Sequence, residues 1–168
     1  MTGGLTPTRS AFEQLHSPSD LDNWLATTLH CDQRTKAKPQ DLVQAIELRE
    51  AIFLTIRANT LGERPSAQHV DMINSVADRM PLTPVLRKYS TTRRWQRPMR
   101  PEAALATIAR DAIDLLTGPT ASRVRECANS NCELVFVDSS PPGVRRWCAM
   151  KRCGNRSKTK AYRARQRP

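Results

Sequence analysis

Four of the five cysteines, Cys127, Cys132, Cys148 and Cys153, fall inside a 27-residue window. Each pair encloses four residues, and fifteen residues separate Cys132 from Cys148. Thiolate sulfur is a soft ligand, and two short-spaced pairs can close on one tetrahedral ion, so the pattern predicts a single structural Zn2+. A redox thiol switch is the other chemistry open to these residues. Catalytic zinc fits poorly, because four cysteines leave no coordination position for water or substrate. Cys31 stands apart and reads as a partly buried thiol, and His16, His30 and His69 have no metal-like spacing.

The elements around the cysteines must bring them together. Arg123 to Cys132 reads as a tight polar turn whose backbone N–H groups face the sulfurs. Glu133 to Asp138 reads as a short strand, Ser139-Ser140-Pro141-Pro142-Gly143 as a turn, and Val144 to Trp147 as the segment returning to the second pair. Trp147 and Phe136 are expected to fill the small core beneath the metal. Gly154 is expected to permit a tight backbone turn after the last ligand.

Charge is concentrated in the same region. Residues 1–120 carry 15 Lys and Arg against 13 Asp and Glu, whereas the last 48 residues carry 12 against 3, most of the formal net charge of +11. Four thiolates and a divalent ion contribute −2, so the segment from 121 remains at about +7 once loaded. Such a surplus is the electrostatic footprint of a polyanion-binding module. Taking Asn155 as the cap of a final helix, Arg156, Lys160, Arg163 and Arg167 fall on one face, and Lys158 and Arg165 on the opposite one. With only Ala161, Tyr162 and Ala164 as apolar contacts, this helix gains little from a core and most from phosphates or a major groove. Lys158, Lys160, Arg163 and Arg165 are candidate phosphate contacts. Asn155 and Arg156, nearest the metal, are candidates for ordered hydrogen bonding, and capping is the commoner role for the asparagine. Arg145, Arg146, Lys151 and Arg152 flank the ligands and widen the positive surface.

Upstream, apolar periodicity predicts four helices. Ser17-Pro18-Ser19-Asp20 caps the first, with Leu21, Trp24, Leu25 and Leu29 on one face. The second runs from about Asp41 to Leu61, where Gly62 stops it. Its broad stripe of Leu42, Val43, Ile46, Phe53 and Ile56, flanked by Ala45, Leu48 and Ile52, marks the central helix. Ser66 caps the third, with Val70, Ile73, Ala77 and Met80 inward and Pro81 and Pro84 beyond it. Pro101 and Glu102 open the fourth, which continues through Leu105, Ile108, Ala112 and Leu115 to Gly118-Pro119. Between the third and fourth, Val85 to Arg100 holds six basic residues, two aromatics and no acidic residue. It reads as a small β-hairpin turning near Thr91-Thr92, with Trp95 covering one side of the helices. Arg93, Arg94 and Arg97 are secondary candidates for nucleic-acid contact. The expected fold is mainly α: a helical bundle over 1–120, then a four-cysteine zinc-ribbon-like finger over 121–168 ending in a basic helix.

Cys153-Gly154-Asn155-Arg156, preceded by Arg145-Arg146-Trp147-Cys148-Ala149-Met150, by Cys127 and Cys132 and by the Leu134 to Asp138 strand, resembles the CGNR zinc finger. In that family the finger follows a largely helical domain called ABATE, whose description links it to stress-induced transcription regulation. The N-terminal helix order is similar to it, notably Asp20-Leu21, Trp24-Leu25, Leu48-Arg49-Glu50-Ala51 and the Ala109 to Leu116 helix. The resemblance implies DNA binding through the finger in a bacterial-type transcription regulator.

The longest apolar run, Ala51 to Ile56, is far below the roughly 18 residues of a membrane span, and Met1 to Pro7 carries no secretion pattern. A cytoplasmic, nucleoid-associated protein without membrane contact is the expectation. No nucleotide-binding glycine loop, nucleophile elbow or recognisable acid pair appears, so an enzyme is not expected. Double-stranded DNA is the leading partner. One small finger covers only roughly 600–1,000 Å². Strong selectivity would therefore call for a homodimer, a second contact, or a partner such as RNA polymerase or a sigma subunit. An RNA-binding protein is the remaining class, disfavoured by the scarcity of aromatics on the final helix.

Overall fold

The computed structural model describes residues 13–31 and 34–166. Met1 to Pro7 and Arg167, named above, lie outside the described residues.

Helix α1 spans Pro18–Thr28. Ser17 Oγ accepts the Asp20 N–H at 3.2 Å and donates to Asp20 Oδ2 at 2.8 Å, so the predicted cap is formed. Leu21 and Leu25 are fully buried and Leu29 nearly so. Helix α2, Pro39–Thr60, opens with Pro39 at its first turn and with the Asp41 carboxylate accepting the Lys38 N–H at 2.7 Å. It ends in a Schellman turn: Glu63 N–H donates to Ala58 O at 2.9 Å and Gly62 N–H to Asn59 O at 3.2 Å. Gly62 adopts φ +70°, the left-handed conformation that makes it the stop.

The buried face of α2 is Ala45, Leu48, Ala51, Thr55 and Ile56. Val43 is 55% exposed, which corrects its place in the predicted stripe. It lies two residues before Ala45, about 200° around the helix, and therefore points away from the core. The helix is central as expected, packing against α1 and against two further helices, α3 (Ala67–Ala77) and α4 (Pro101–Thr117).

Helix α3 buries Ile73, Val76 and Ala77, but Met80 is 80% exposed. The inward placement of Met80 required a further helical turn, and the helix ends at Ala77. The Arg110 guanidinium holds that end, with Nε donating to Ala77 O at 2.8 Å and Nη2 to Arg79 O at 3.2 Å, a cation at the negative pole of the helix. Helix α4 buries Ala104, Leu105, Ala106, Ala109 and Ala112, whose small side chains let it approach α2 and α3 closely. Gly118 follows it because a Cβ there would lie 2.5 Å from Asp114 O.

Strands β1 (Pro84–Leu86) and β2 (Arg93–Trp95) form the expected antiparallel hairpin, with Val85 opposite Arg94. Its loop runs from Arg87 to Thr92 and centres on Tyr89-Ser90, so the turn lies two residues earlier than Thr91-Thr92. The bond from Arg87 N–H to Thr92 O, at 2.9 Å, sets that register. Trp95 donates from Nε1 to Leu29 O at 2.9 Å and packs on the bundle, as predicted.

Outside the apolar core, Arg49 on α2 forms a bidentate pair with Glu13, at 2.7 and 2.9 Å. The guanidinium holds the Glu13 carboxyl down to about 2 against the opposing effect of burial, with the Leu15 N–H assisting. Because the folded-state value is depressed, the contribution is complete above the unfolded carboxylate range and disappears as pH falls through it toward 2. Urea melts from pH 6 downward should show Glu13→Gln less stable than wild type by about 1–2 kcal/mol near neutrality. The gap should close on acidification.

Candidate metal centre

The finger begins after a 3-10 turn at Ala121–Arg123. Strand β3, Val124–Glu126, pairs antiparallel with β4, Val135–Val137. The ladder continues one step further, as Cys127 N–H donates to Leu134 O at 3.0 Å. The Cys127 to Cys132 turn is thus the loop of this hairpin. The Glu133 to Asp138 strand pairs upstream with β3, and Val144 to Trp147 leads back to the second pair of ligands as expected. The returning segment is irregular and is tied to the turn by Ala128 N–H donating to Arg146 O at 2.8 Å.

All four sulfurs lie within 4.8 Å of one another. Cys132 and Cys148 are 3.8 Å apart, and Cys148 and Cys153 are 3.6 Å apart. Zinc–thiolate bonds of about 2.3 Å in a tetrahedron place sulfurs about 3.8 Å apart. These separations fit one zinc and are far beyond the roughly 2.05 Å of a disulfide. Cys127, Cys132 and Cys153 are buried, with Leu134, Phe136, Trp147 and Cys148 packed around them. Phe136 and Trp147 therefore occupy their predicted places.

Three polar side chains that the sequence reading did not single out hold this geometry. Asn129 accepts the Asn131 N–H at 3.0 Å, shaping the ligand turn, and donates to Cys153 O at 3.2 Å and Ser157 Oγ at 3.4 Å, linking that turn to the final helix. Asp138 is fully buried. One of its oxygens accepts Ser140 N–H and Oγ–H at 3.0 and 2.6 Å, and the other accepts Arg145 N–H at 2.8 Å. These bonds, led by Ser140, hold its carboxyl below the usual range. Arg123 donates to Ser140 O at 2.7 Å, closing the Pro-Pro-Gly turn. An aspartate ahead of Ser-Ser-Pro-Pro-Gly is the sequence signal of an Asx turn and could have identified Asp138.

Met150–Gly154 forms one wide π-helical turn that runs directly into α5, Asn155–Arg165. Asn155 lies inside this continuous helix at φ −65°, ψ −40°, so it does not cap it; the helical run starts after Ala149. Cys153 thus sits in the first helical turns, where the positive dipole favours a thiolate. Gly154 has helical backbone, which corrects its expected role as a turn. A Cβ there would lie 2.7 Å from Sδ of the exposed Met150 side chain, which can move, and in ordinary contact with Trp147 Cε3 at 3.6 Å.

The flanking cations divide into two groups. Arg145 is half-buried: its guanidinium donates to Trp147 O at 2.9 Å and to Cys148 O, and lies 4.9 Å from the Phe136 ring centroid. Arg152 places Nη2 3.7 Å from Cys148 Sγ. Arg146, Lys151, Asn155, Arg156 and Lys158 are exposed around the centre. Lys160, Arg163 and Arg165 follow on α5, and their side chains lie outside the described atoms. Arg93, Arg94 and Arg97 are exposed on the separate β1–β2 hairpin.

Burial pushes the Cys132 thiol up to about 12, although the Leu134 N–H bonded to its sulfur opposes the shift. Burial also raises Cys153. At Cys148 burial acts in the same direction, but the Arg152 guanidinium and the neighbouring thiols outweigh it and the value falls below that of an ordinary thiol. The metal-free thiols that titrate high are protonated at neutrality, and zinc must displace those protons.

Fold and site define a helical domain joined to a four-cysteine zinc finger. The ABATE family model, described as "Putative stress-induced transcription regulator", matches residues 2–119, and the CGNR zinc finger model matches residues 123–166. The chain belongs to the ABATE family and carries a CGNR zinc finger. No curated protein matches it. Among the described residues, no helix is long and apolar enough to cross a membrane.

Zinc affinity should rise by roughly two or more log units per pH unit as the medium goes from pH 6 to 8, in chelator competition with proton release followed in parallel. Asp138→Asn should lower that affinity by about tenfold or more while leaving the four ligands intact, the usual scale for a residue that orients metal ligands through hydrogen bonds.

Proposed function

We propose that this protein is a transcription regulator that binds double-stranded DNA through its zinc finger, with zinc acting as scaffold and no catalytic role. The observation that carries the reading is the arrangement of exposed cations on a rigid centre. Arg146 and Lys151 flank the cysteine cluster, and Arg156 and Lys158 open a helix without a single acidic residue. Lys158 and the more distal cations of α5 bind phosphates. Arg156, closest to the metal, is the best placed for a defined base-edge contact.

The helical domain receives the signal. A cavity of about 360 Å³ lies among α1, α2, α4 and β4, lined by Trp24, Leu48, Ile52, Ile108 and, from the finger, Val135. An apolar effector bound there would touch both parts of the chain. The protein acts in the cytoplasm at the nucleoid.

The test is recovery of bound genomic fragments by the zinc-loaded chain at physiological salt, with Cys148→Ala as control. A recurrent motif lost in the variant is expected. Full-strength, metal-independent binding by Cys148→Ala would overturn the scaffold role of zinc. Uniform recovery without a motif would shift the reading to a factor that docks on RNA polymerase or a sigma subunit and holds DNA nonspecifically. Lys158→Gln should weaken binding to all sequences alike and reduce the salt slope by about 0.9.

A further inference from the structure

Between Asp78 and Glu102 the chain holds seven basic residues and no acidic one. The β1–β2 hairpin gathers most of them at a single edge of the bundle. Arg93, Arg94 and Arg97 line one narrow cleft beside His30 and Trp95, with no carboxylate among its described lining residues. Like charges placed this close repel one another, and Arg93 offsets part of that by stacking its guanidinium 4.5 Å from the Trp95 ring centroid at the base of the hairpin. Only the base of the hairpin is used for packing, through Trp95 and its bond to Leu29 O.

The tip provides a second, independent observation. Tyr89 is 94% exposed and adopts φ +59°. A bulky side chain in the left-handed region is strained, and glycine or asparagine suits such a turn better. Burial of the ring does not compensate, since its described contact is the Lys88 ammonium, 4.8 Å from the ring centroid. A strained aromatic that stabilises nothing at a basic tip is suited to a contact made outside the chain.

The geometry points to the β1–β2 hairpin as a second duplex-DNA contact, an arm whose tip residues Lys88 and Tyr89, with Arg94 on the adjoining strand, engage the phosphate backbone away from the finger. This inference rests on the DNA-binding reading of the finger and extends it. The arm and the finger sit toward opposite ends of α2. Arg79, just before the hairpin, donates to Gln44 near the start of α2 at 2.7 Å, and Glu126 of the finger pairs with Arg57 near its end at 3.6 Å. Residues 44 and 57 are about 20 Å apart along a helix. The arm and the finger are therefore anchored at points separated along α2 by an appreciable part of the roughly 34 Å turn of a duplex. A small finger thereby gains the second foothold that its limited interface requires.

The experiment uses the full zinc-loaded chain and a duplex of about 40 base pairs, several times the roughly 10 of one helical turn. Affinity is measured across a salt series, with zinc content and thermal stability determined for each variant. Lys88→Gln with Arg94→Gln should reduce the salt slope by about 1.8 with zinc content unchanged. Tyr89→Gly should weaken binding several-fold while leaving the melting temperature unchanged or higher, a combination that a purely structural tyrosine would not produce. Slopes and affinities equal to wild type in both variants overturn the arm and leave the finger's role intact. Loss confined to binding of a single-stranded RNA of equal length overturns it in favour of an RNA contact. A wild-type chain that binds no duplex removes the arm and the finger reading together.

Discussion

The closure of four thiolates on one ion is the constraint from which the C-terminal third derives its structure. Among the described residues from 121 onward, the buried apolar set is Val124, Cys127, Cys132 and Cys153, supported by half-buried Leu134, Phe136 and Trp147. So few buried groups cannot offset the backbone entropy of ordering more than forty residues. Metal binding supplies the missing free energy, of the order of 10 kcal/mol or more for structural zinc sites. The three-residue strands β3 and β4 and the π-helical turn are all too short to persist alone, and each delivers or follows a ligand. The position of α5 is therefore a property of the metal centre.

The bundle has the opposite economy. Its core of leucines, isoleucines and alanines is continuous from α1 to α4 and holds without metal. The two economies meet on α2, whose C-terminal half bears on β3 and β4 and whose Arg57 faces Glu126. Val135 contributes to the wall of the apolar cavity formed by the bundle. Three residues along the chain from Val135, Asp138 holds the turn that leads to Cys148 and Cys153. A displacement of β4 thus has a short covalent and hydrogen-bonded path to both ligand pairs.

Most of this was legible in the sequence where a single periodicity or spacing decided the outcome. The four ligands, the order of the helices, the Gly62 stop and the docking of Trp95 all follow from local rules. Errors arose where a neighbour in space made the decision. Met80 continues the apolar period of α3, but Arg110, more than thirty residues away, takes the carbonyls at the helix end and the chain leaves the helix before Met80. Val43 is apolar but lies on the wrong side of α2, a distinction blurred once the stripe was read as broad. Asn155 is a favoured capping residue by type, and nothing local places it inside a helix. The π-helical turn starts the helix five residues earlier, and no propensity rule signals that turn. Asp138 is an Asx-turn residue that local rules could have flagged, whereas Asn129 gains its importance through Cys153 O and Ser157, partners it meets across the metal site.

The same spatial decisions change the meaning of the charge. Counting basic residues treats all twelve after residue 120 as available to an outside anion, but the fold uses several of them internally. Arg123 and Arg145 are committed to carbonyls of the ligand loop, Arg125 reaches Gly143 O, and Arg152 lies against Cys148. Arginine suits this work because its planar fork can serve several acceptors at once while remaining charged. Arg152 also offsets part of the −2 that four thiolates leave on zinc. Among the described side chains after residue 120, Arg146, Lys151, Arg156 and Lys158 stay exposed. In that part of the chain lysines, compact charges on flexible stems, stand among the arginines.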